Sequence, residues 1–190
     1  MPISGFEVIP QHMVKVRDAL SPVWGASQKE LHVLDLGVGT GQWGFLFRNY
    51  LDFAYGRIAP EAQKVNLIGV EGFEAYRNPG WALYDEIIVG NILDAINSDK
   101  LNRHWDFINL IEVLEHFDRA DGEKVLTWMA EHADFMMFSF HNGEQGAAFD
   151  NELERHRGKW SIEELKKIIP QTIHVCGDES GSYLWADLRK

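Results

Sequence analysis

Seven short apolar runs punctuate the chain: Leu31–Leu36, Val65–Val70, Glu86–Val89, Asp106–Ile111, Phe135–Phe140, Thr172–Cys176 and Tyr183–Leu188. The earlier runs are apolar almost throughout and do not alternate with polar residues, which marks parallel strands covered on both faces. Between them lie stretches of helical period, Gln42–Phe53 and Arg119–His132, the latter pairing Val125 with Met129 and Leu126 with Ala130. Val8–Leu20, of mixed polarity, predicts a helix ahead of the first strand. Strand alternating with helix predicts an α/β sheet joined by right-handed crossovers.

The end of the chain reads differently. Ser161 with Glu164 three residues later forms a capping box, Leu165 and Ile168 follow on one face, and Pro170 stops the helix Ser161–Ile169. Only Gly177–Ser182 separates the last two runs. Six turn-like residues suit an antiparallel hairpin and are too few for a parallel crossover. The expected order is five parallel strands, a helix and a closing antiparallel pair. His141–Lys159 fits no period and leaves the sheet at its carboxyl edge, where open α/β sheets bind ligands. It is expected to form a partly mobile lid with His156 and Trp160 turned inward, where Phe149 and Trp160 either wall a ligand pocket or simply close the lid. The alternative has His156 bonding only loop backbone and Trp160 plugging the core beside the last helix.

Composition narrows the class. The 190 residues are 45% hydrophobic and 25% charged, enough for one globular domain spanning 1–190. No apolar run reaches membrane-spanning length, and Met1–Gly5 lacks the pattern of a signal peptide. One cysteine, Cys176, makes neither an internal disulfide nor a cysteine zinc site and is expected in the core. A cytoplasmic protein is the default expectation. The net charge is −11, and Asp106–Phe140 alone holds eight acids and two bases. Nucleic-acid binding draws on clustered Lys and Arg, so a nucleic-acid partner is disfavoured and a small-molecule partner preferred.

Leu31-His-Val-Leu-Asp35-Leu-Gly37-Val-Gly39-Thr-Gly41-Gln-Trp-Gly44 carries the chemistry. An apolar strand runs into alternating glycines and then a helix, so a ligand can approach the backbone and the free N–H groups of the helix start. Two ligand classes compete. Gly39-Thr-Gly41-Gln-Trp-Gly44 satisfies the dinucleotide fingerprint G-x-G-x-x-G, with pyrophosphate on the helix N-terminus. Asp35 opposes a pyrophosphate and suits a ligand bearing an ammonium, such as an amino-acid-bearing nucleoside. A short-chain dehydrogenase also wants Tyr-x-x-x-Lys, and Tyr50, Tyr55, Tyr76, Tyr84 and Tyr183 all lack that lysine.

Asp35-Leu-Gly37-Val-Gly39-Thr-Gly41 resembles the first motif of the class I S-adenosylmethionine-dependent methyltransferases. Leu67-Ile-Gly-Val-Glu71 resembles that family's second strand, whose terminal acid takes both ribose hydroxyls. Gly90-Asn91-Ile92-Leu93-Asp94 resembles the third motif, with Asn91 where the family more often has Asp. Asp106–His116 resembles the fourth strand and the acidic turn beside the methionine part, and the closing hairpin resembles the family's reversed seventh strand. The 36 residues from Asp35 to Glu71 exceed the usual spacing, so Asp52–Gln63 is expected to be an inserted loop. The resemblance implies a Rossmann-like, doubly wound seven-stranded sheet, mostly parallel, with an antiparallel C-terminal strand. It also implies S-adenosyl-L-methionine as cofactor, S-adenosyl-L-homocysteine as product, and cofactor contacts from Asp35, Gly37, Gly39, Gly41, Glu71, Asn91, Ile92 and Glu112.

Glu112-Val-Leu-Glu115-His116 puts two carboxylates and an imidazole in one turn. Similar E-x-x-E-H segments hold a divalent metal in the O-methyltransferases of ubiquinone synthesis and in those that cap the 3′ end of small RNAs. His156 would then be a fourth ligand. The same string stands in metal-free relatives, where the first acid faces the cofactor and the histidine packs or lines the pocket. A metal-free site is expected, with metal-assisted O-methyl transfer through Glu112, Glu115 and His116 as the alternative. Ser139–Gln145, Asn151, His156, Trp160-Ser161 and Leu165 resemble a bacterial and phage subgroup, without its proline near His141 or its tyrosine near Leu153. His156, His141 and His116 are the candidate general bases, because imidazole titrates near neutrality. A non-catalytic cofactor-binding subunit is the remaining alternative.

Overall fold

The computed structural model describes residues 12–20 and 30–189. Helix α1 covers residues 12–20 and buries Met13, Val16 and Leu20. The start of the predicted Val8–Leu20 helix lies outside the described residues. There follow β1 (Leu31–Leu36), α2 (Gln42–Leu51), β2 (Val65–Glu71), β3 (Glu86–Val89), α3 (Ile92–Ile96) and β4 (Trp105–Leu110). The second half adds α4 (Arg119–His132), β5 (Ala133–His141), α5 (Ile162–Ile168), β6 (Thr172–Asp178) and β7 (Gly181–Asp187).

The seven strands form one sheet in the order β3-β2-β1-β4-β5-β7-β6. β1 pairs in parallel with β2 and β4, β2 with β3, and β4 with β5. β7 is antiparallel to both β5 and β6, so it alone runs against the rest. Its hairpin turn is tighter than the six residues expected, because the strands run on to Asp178 and from Gly181. The Asp178 side chain accepts from Ser180 N and closes that two-residue turn.

Both faces of the sheet are covered, which explains the unbroken apolar runs. One core packs Ile108, Leu110, Met136 and Phe138 against Val125 and Met129 of α4 and Leu165 of α5. The other packs Val33, Leu67, Phe107 and Met137 against α1 and against Trp43 and Phe47 of α2. The Ser161 cap is realised in full, its hydroxyl accepting from Glu164 N while the Glu164 carboxylate accepts from Ser161 N. Buried Arg48 ties the inserted segment down by binding Asp52, Asp85 and the carbonyls of Val65 and Leu83. The chain reverses its winding between β1 and β4, and a crevice opens at the carboxyl ends of these strands, as in other doubly wound sheets.

Candidate cofactor and acceptor site

The glycine turn at the end of β1 has the backbone that its sequence requires. Gly37, Gly39 and Gly41 all take positive φ, at 94°, 52° and 85°. A Cβ on Gly37 would also collide with the Val113 side chain. Gly39 donates its N–H to Glu71 Oε2 at 2.7 Å and accepts from Trp81 Nε1 at 2.8 Å. Gly41 precedes α2, and a Cβ there would lie 2.9 Å from the Gly80 carbonyl carbon.

A cavity of about 350 Å³ opens beyond this turn. Gly37, Gly39, Glu71, Asn91, Ile92, Glu112 and His116 line it, so seven of the residues singled out in the sequence converge. Glu71, at the end of β2, accepts from Gly39 N with one oxygen and from Phe73 N at 2.8 Å with the other. Burial raises its pKa, and these two hydrogen bonds oppose the rise. Asn91 Oδ1 accepts from Leu93 N at 2.8 Å and caps α3.

Four expected residues lie elsewhere. Asp35 is fully buried inside the sheet, where Tyr84 Oη donates to one carboxylate oxygen and Asn109 Nδ2 to the other at 2.8 Å. Its carboxylate therefore does not reach the cavity, and a role facing a ligand ammonium is corrected to one inside the core. Burial pushes its pKa up to about 7 against the two hydrogen bonds, with the Glu71 charge adding to the rise. Gly41 likewise serves close packing on Gly80 and is not part of the lining. His156 and His141 stand behind His116 in a row, with ring centroids 5.0 Å apart for His116–His156 and 5.7 Å for His141–His156.

The acidic turn after β4 divides its carboxylates. Glu112 has φ 55°, a conformation disfavoured for a residue with a Cβ. It is held there by Ser139, whose Oγ accepts from Glu112 N at 2.7 Å and donates to Glu112 Oε1 at 3.0 Å. Tyr183 also hydrogen-bonds this carboxylate, and burial together with the Glu112 charge raises its pKa. Glu115 instead turns inward and is 1% exposed, with Oε2 unpaired. Burial, and then the nearby Glu112 charge, hold its pKa well above the usual carboxylate range.

Ligand atoms of Glu115, His116 and His156 lie within 4.8 Å of one another. His116 Nδ1 faces the Arg155 carbonyl at 3.3 Å and His156 Nδ1 faces that of Gly143. A carbonyl only accepts, so each Nδ1 carries a proton, and the neutral form of either ring keeps an Nε2 lone pair. Burial lowers the His116 pKa, which favours that neutral form.

The lid is built of turns. Asn151 caps a short 3-10 turn, Glu152–Glu154, and Tyr76 Oη donates to Glu154 Oε1 at 2.7 Å across the cavity mouth. Arg157 N and Gly158 N both donate to the Glu115 carbonyl. Trp160 takes the second of its two expected places. It is 2% exposed in the core, donates Nε1 to the Leu114 carbonyl at 3.2 Å and packs on Gly122 of α4. An indole of that size fills the gap left by a glycine on α4, so it is a core residue and not a pocket wall. Phe149 is 62% exposed at a turn tip and lines no part of the cavity.

Several supporting residues carry no motif. Asn78 donates to the Thr40 carbonyl, Trp81 to that of Gly39 and Tyr84 to Asp35, so the segment before β3 braces the glycine turn from outside. The Asn78-Pro79-Gly80 cluster signals a turn in sequence, but not what the turn supports. Tyr183 gives no local signal, and Ser139 stands in the sequence only as the start of the Ser139–Gln145 stretch, with no sign that it holds Glu112.

A family model described as "Methyltransferase domain" matches residues 11–172. No match was found among curated protein sequences. Among solved structures, an O-methyltransferase family protein from Burkholderia thailandensis is 13% identical, covering 96% of this chain and 57% of its own, with a TM-score of 0.61. The bifunctional kinase-methyltransferase WbdD is 16% identical, with 93% and 38% covered and a TM-score of 0.60. A SAM-dependent methyltransferase from Archaeoglobus fulgidus is 11% identical, with 92% and 93% covered and a TM-score of 0.57. The chain thus spans less than two thirds of the first two proteins and nearly all of the third, and at these identities the likeness is one of fold. Among the described residues no helix is long and apolar enough to cross a membrane. With the glycine turn, Glu71 and the reversed β7 in place and the family model spanning most of its length, the chain belongs to the methyltransferase-domain family, on the class I fold.

Proposed function

We propose that the protein transfers a methyl group from S-adenosylmethionine to a small polar acceptor. The observation that carries this reading is the convergence of the Gly37–Gly39 backbone and the Glu71 and Glu112 carboxylates on one cavity of about 350 Å³. The donor set fits the cofactor. Glu71 keeps lone pairs for the ribose hydroxyls beyond those used by Gly39 and Phe73. Glu112, held by Ser139 and Tyr183, offers a fixed carboxylate for the methionine ammonium, and Ile92 offers an apolar surface for adenine. When bound, S-adenosylmethionine supplies a methyl group on a sulfonium, whose departure leaves a neutral thioether. The protein then has to orient the acceptor and exclude water, and the turns over the cavity mouth do both.

His116 is the histidine that lines the cavity, and it takes the acceptor proton at Nε2 while its Nδ1–H stays on the Arg155 carbonyl. His156 packs edge-on behind it and His141 lies one ring further. The test pairs calorimetry with turnover over a panel of small hydroxylated and amino acceptors. S-adenosylhomocysteine should bind more tightly than nicotinamide dinucleotides, and the reverse order overturns the reading. His116→Ala should cut methyl transfer by about 10²–10⁴ while cofactor affinity stays within a few fold.

A second reading has its own observation. Glu115, His116 and His156 each present one ligand atom within 4.8 Å of the others, and both histidines place Nδ1 against a backbone carbonyl. Metal-binding histidines are commonly oriented in that way. These three residues would hold a divalent cation, which would lower the pKa of an acceptor hydroxyl. Methyl transfer lost with a chelator and restored by a divalent metal selects this reading, and activity unchanged by the chelator rejects it.

A further inference from the structure

A second cavity, of about 430 Å³, lies between two stretches of the lid, Gly143–Gly146 and Arg155–Lys159. Its lining has three cationic side chains, Arg155, Arg157 and Lys159, against a single carboxylate, Glu144. A chain of net charge −11 has thus gathered positive charge in one concave place. Arg155 shares its charge with Glu152 at 2.9 Å. Arg157 is held differently. Its guanidinium donates to the carbonyls of Glu152, His116 and Arg155 at 2.7, 3.0 and 3.2 Å, so neutral acceptors fix its position, and the Glu152 carboxylate feels its charge without a direct ion pair to it. Lys159 adds an exposed ammonium from the same wall.

The two cavities share a partition. Arg157 lines both, while His116 lines the first and His156 the second, with the two rings in edge contact at 5.0 Å. Gly146, which lines the second cavity, has open space where a Cβ would stand. From this arrangement we infer that the second cavity binds an anionic group of the methyl acceptor, a phosphate or a carboxylate, while the acceptor's reacting atom enters the first cavity beside His116. The inference rests on the methyl-transfer reading and adds the acceptor's chemical class to it. Charge-assisted hydrogen bonds from a guanidinium and an ammonium are the usual means of holding such oxyanions.

The test uses the full chain saturated with S-adenosylhomocysteine and follows backbone amides by NMR. Inorganic phosphate and sodium acetate are titrated separately at constant ionic strength, with chloride as the blank. The expected result is saturable shifts confined to residues 143–146 and 155–159. Tighter binding of phosphate points to a phosphorylated acceptor, and tighter binding of acetate to a carboxylate. Lys159→Glu reverses an exposed charge and should weaken anion binding about fivefold or more, with cofactor affinity unchanged. Arg157→Gln serves as an independent second variant and should weaken the same response. Cofactor binding without a saturable anion response overturns the inference, as does a response equal in wild type and both variants. An anion response without cofactor binding overturns the methyl-transfer reading, and with it the assignment of the anion to an acceptor.

Discussion

Replacing Asp35 by Asn is the sharpest test of the tertiary arrangement. The carboxyl is fully buried, with its pKa raised to about 7, while Tyr84 and Asn109 donate to its two oxygens. In the unfolded chain the same carboxyl ionises near pH 4. Between those values the folded protein keeps a proton that the unfolded protein has released. The contribution of this group is therefore fully present below about pH 4 and is lost as pH rises through 7. A gap of roughly three pH units, at about 1.4 kcal/mol each, makes the loss on the order of 4 kcal/mol above pH 7. An Asn side chain carries no charge at any of these pH values. Tyr84 can donate to its carbonyl, and Asn109 Oδ1, now without a partner, can accept from its amide once the Asn109 amide rotates. The stability of Asp35→Asn relative to wild type should therefore rise with pH by on the order of 4 kcal/mol from pH 4 to pH 8. Urea denaturation of both proteins at half-unit steps of pH measures that difference directly. S-adenosylhomocysteine affinity at pH 7.5 should stay within about threefold, because the side chain does not line the cavity. A difference that is flat with pH refutes the protonated buried carboxyl. A fall in cofactor affinity beyond about tenfold in a folded variant refutes the placement of Asp35 away from the ligand.

Two further substitutions probe the cofactor side. Glu71→Gln sets an amide N–H₂ against either Gly39 N or Phe73 N and removes a charged partner for the ribose hydroxyls. It should weaken S-adenosylhomocysteine binding by about 1.5–3 kcal/mol, roughly 10- to 100-fold by calorimetry, and affinity within twofold of wild type would contradict that role. Gly37→Ala combines a left-handed residue, costing about 1–2 kcal/mol, with overpacking against Val113 that adds about 1–3 kcal/mol. Chemical denaturation should show both losses, and Val113→Ala in the same chain should recover only the second. Full recovery would mean that backbone strain at Gly37 is negligible.

Features set by neighbours along the chain were legible from residue order. The Arg119–His132 helix, the Ser161 cap and the positive φ of the three glycines all rest on interactions within a few residues. The two-sided burial of the strands was readable because unbroken apolar strand runs belong to sheets covered on both faces. The 36-residue interval before Glu71 left room for the turns between α2 and β2, though it gave no sign of the buried Arg48 that anchors them. The roles of individual polar groups depended on contacts across the fold. Asp35 reads as a ligand-facing carboxylate until Tyr84 and Asn109, 49 and 74 positions away, take both of its oxygens. Trp160 reads equally as a pocket wall or a core plug until Gly122, on α4, leaves a hole of indole size. The E-x-x-E-H string reads as one unit, yet Ser139 and Tyr183 draw Glu112 toward the cavity while Glu115 turns inward to His116 and His156. A local pattern specifies backbone conformation and which face is apolar, since those energies arise within one turn or one strand. Whether a buried carboxylate, imidazole or indole faces a ligand or a neighbour depends on which distant group meets its hydrogen bonds, and that was decided when the sheet brought those groups together.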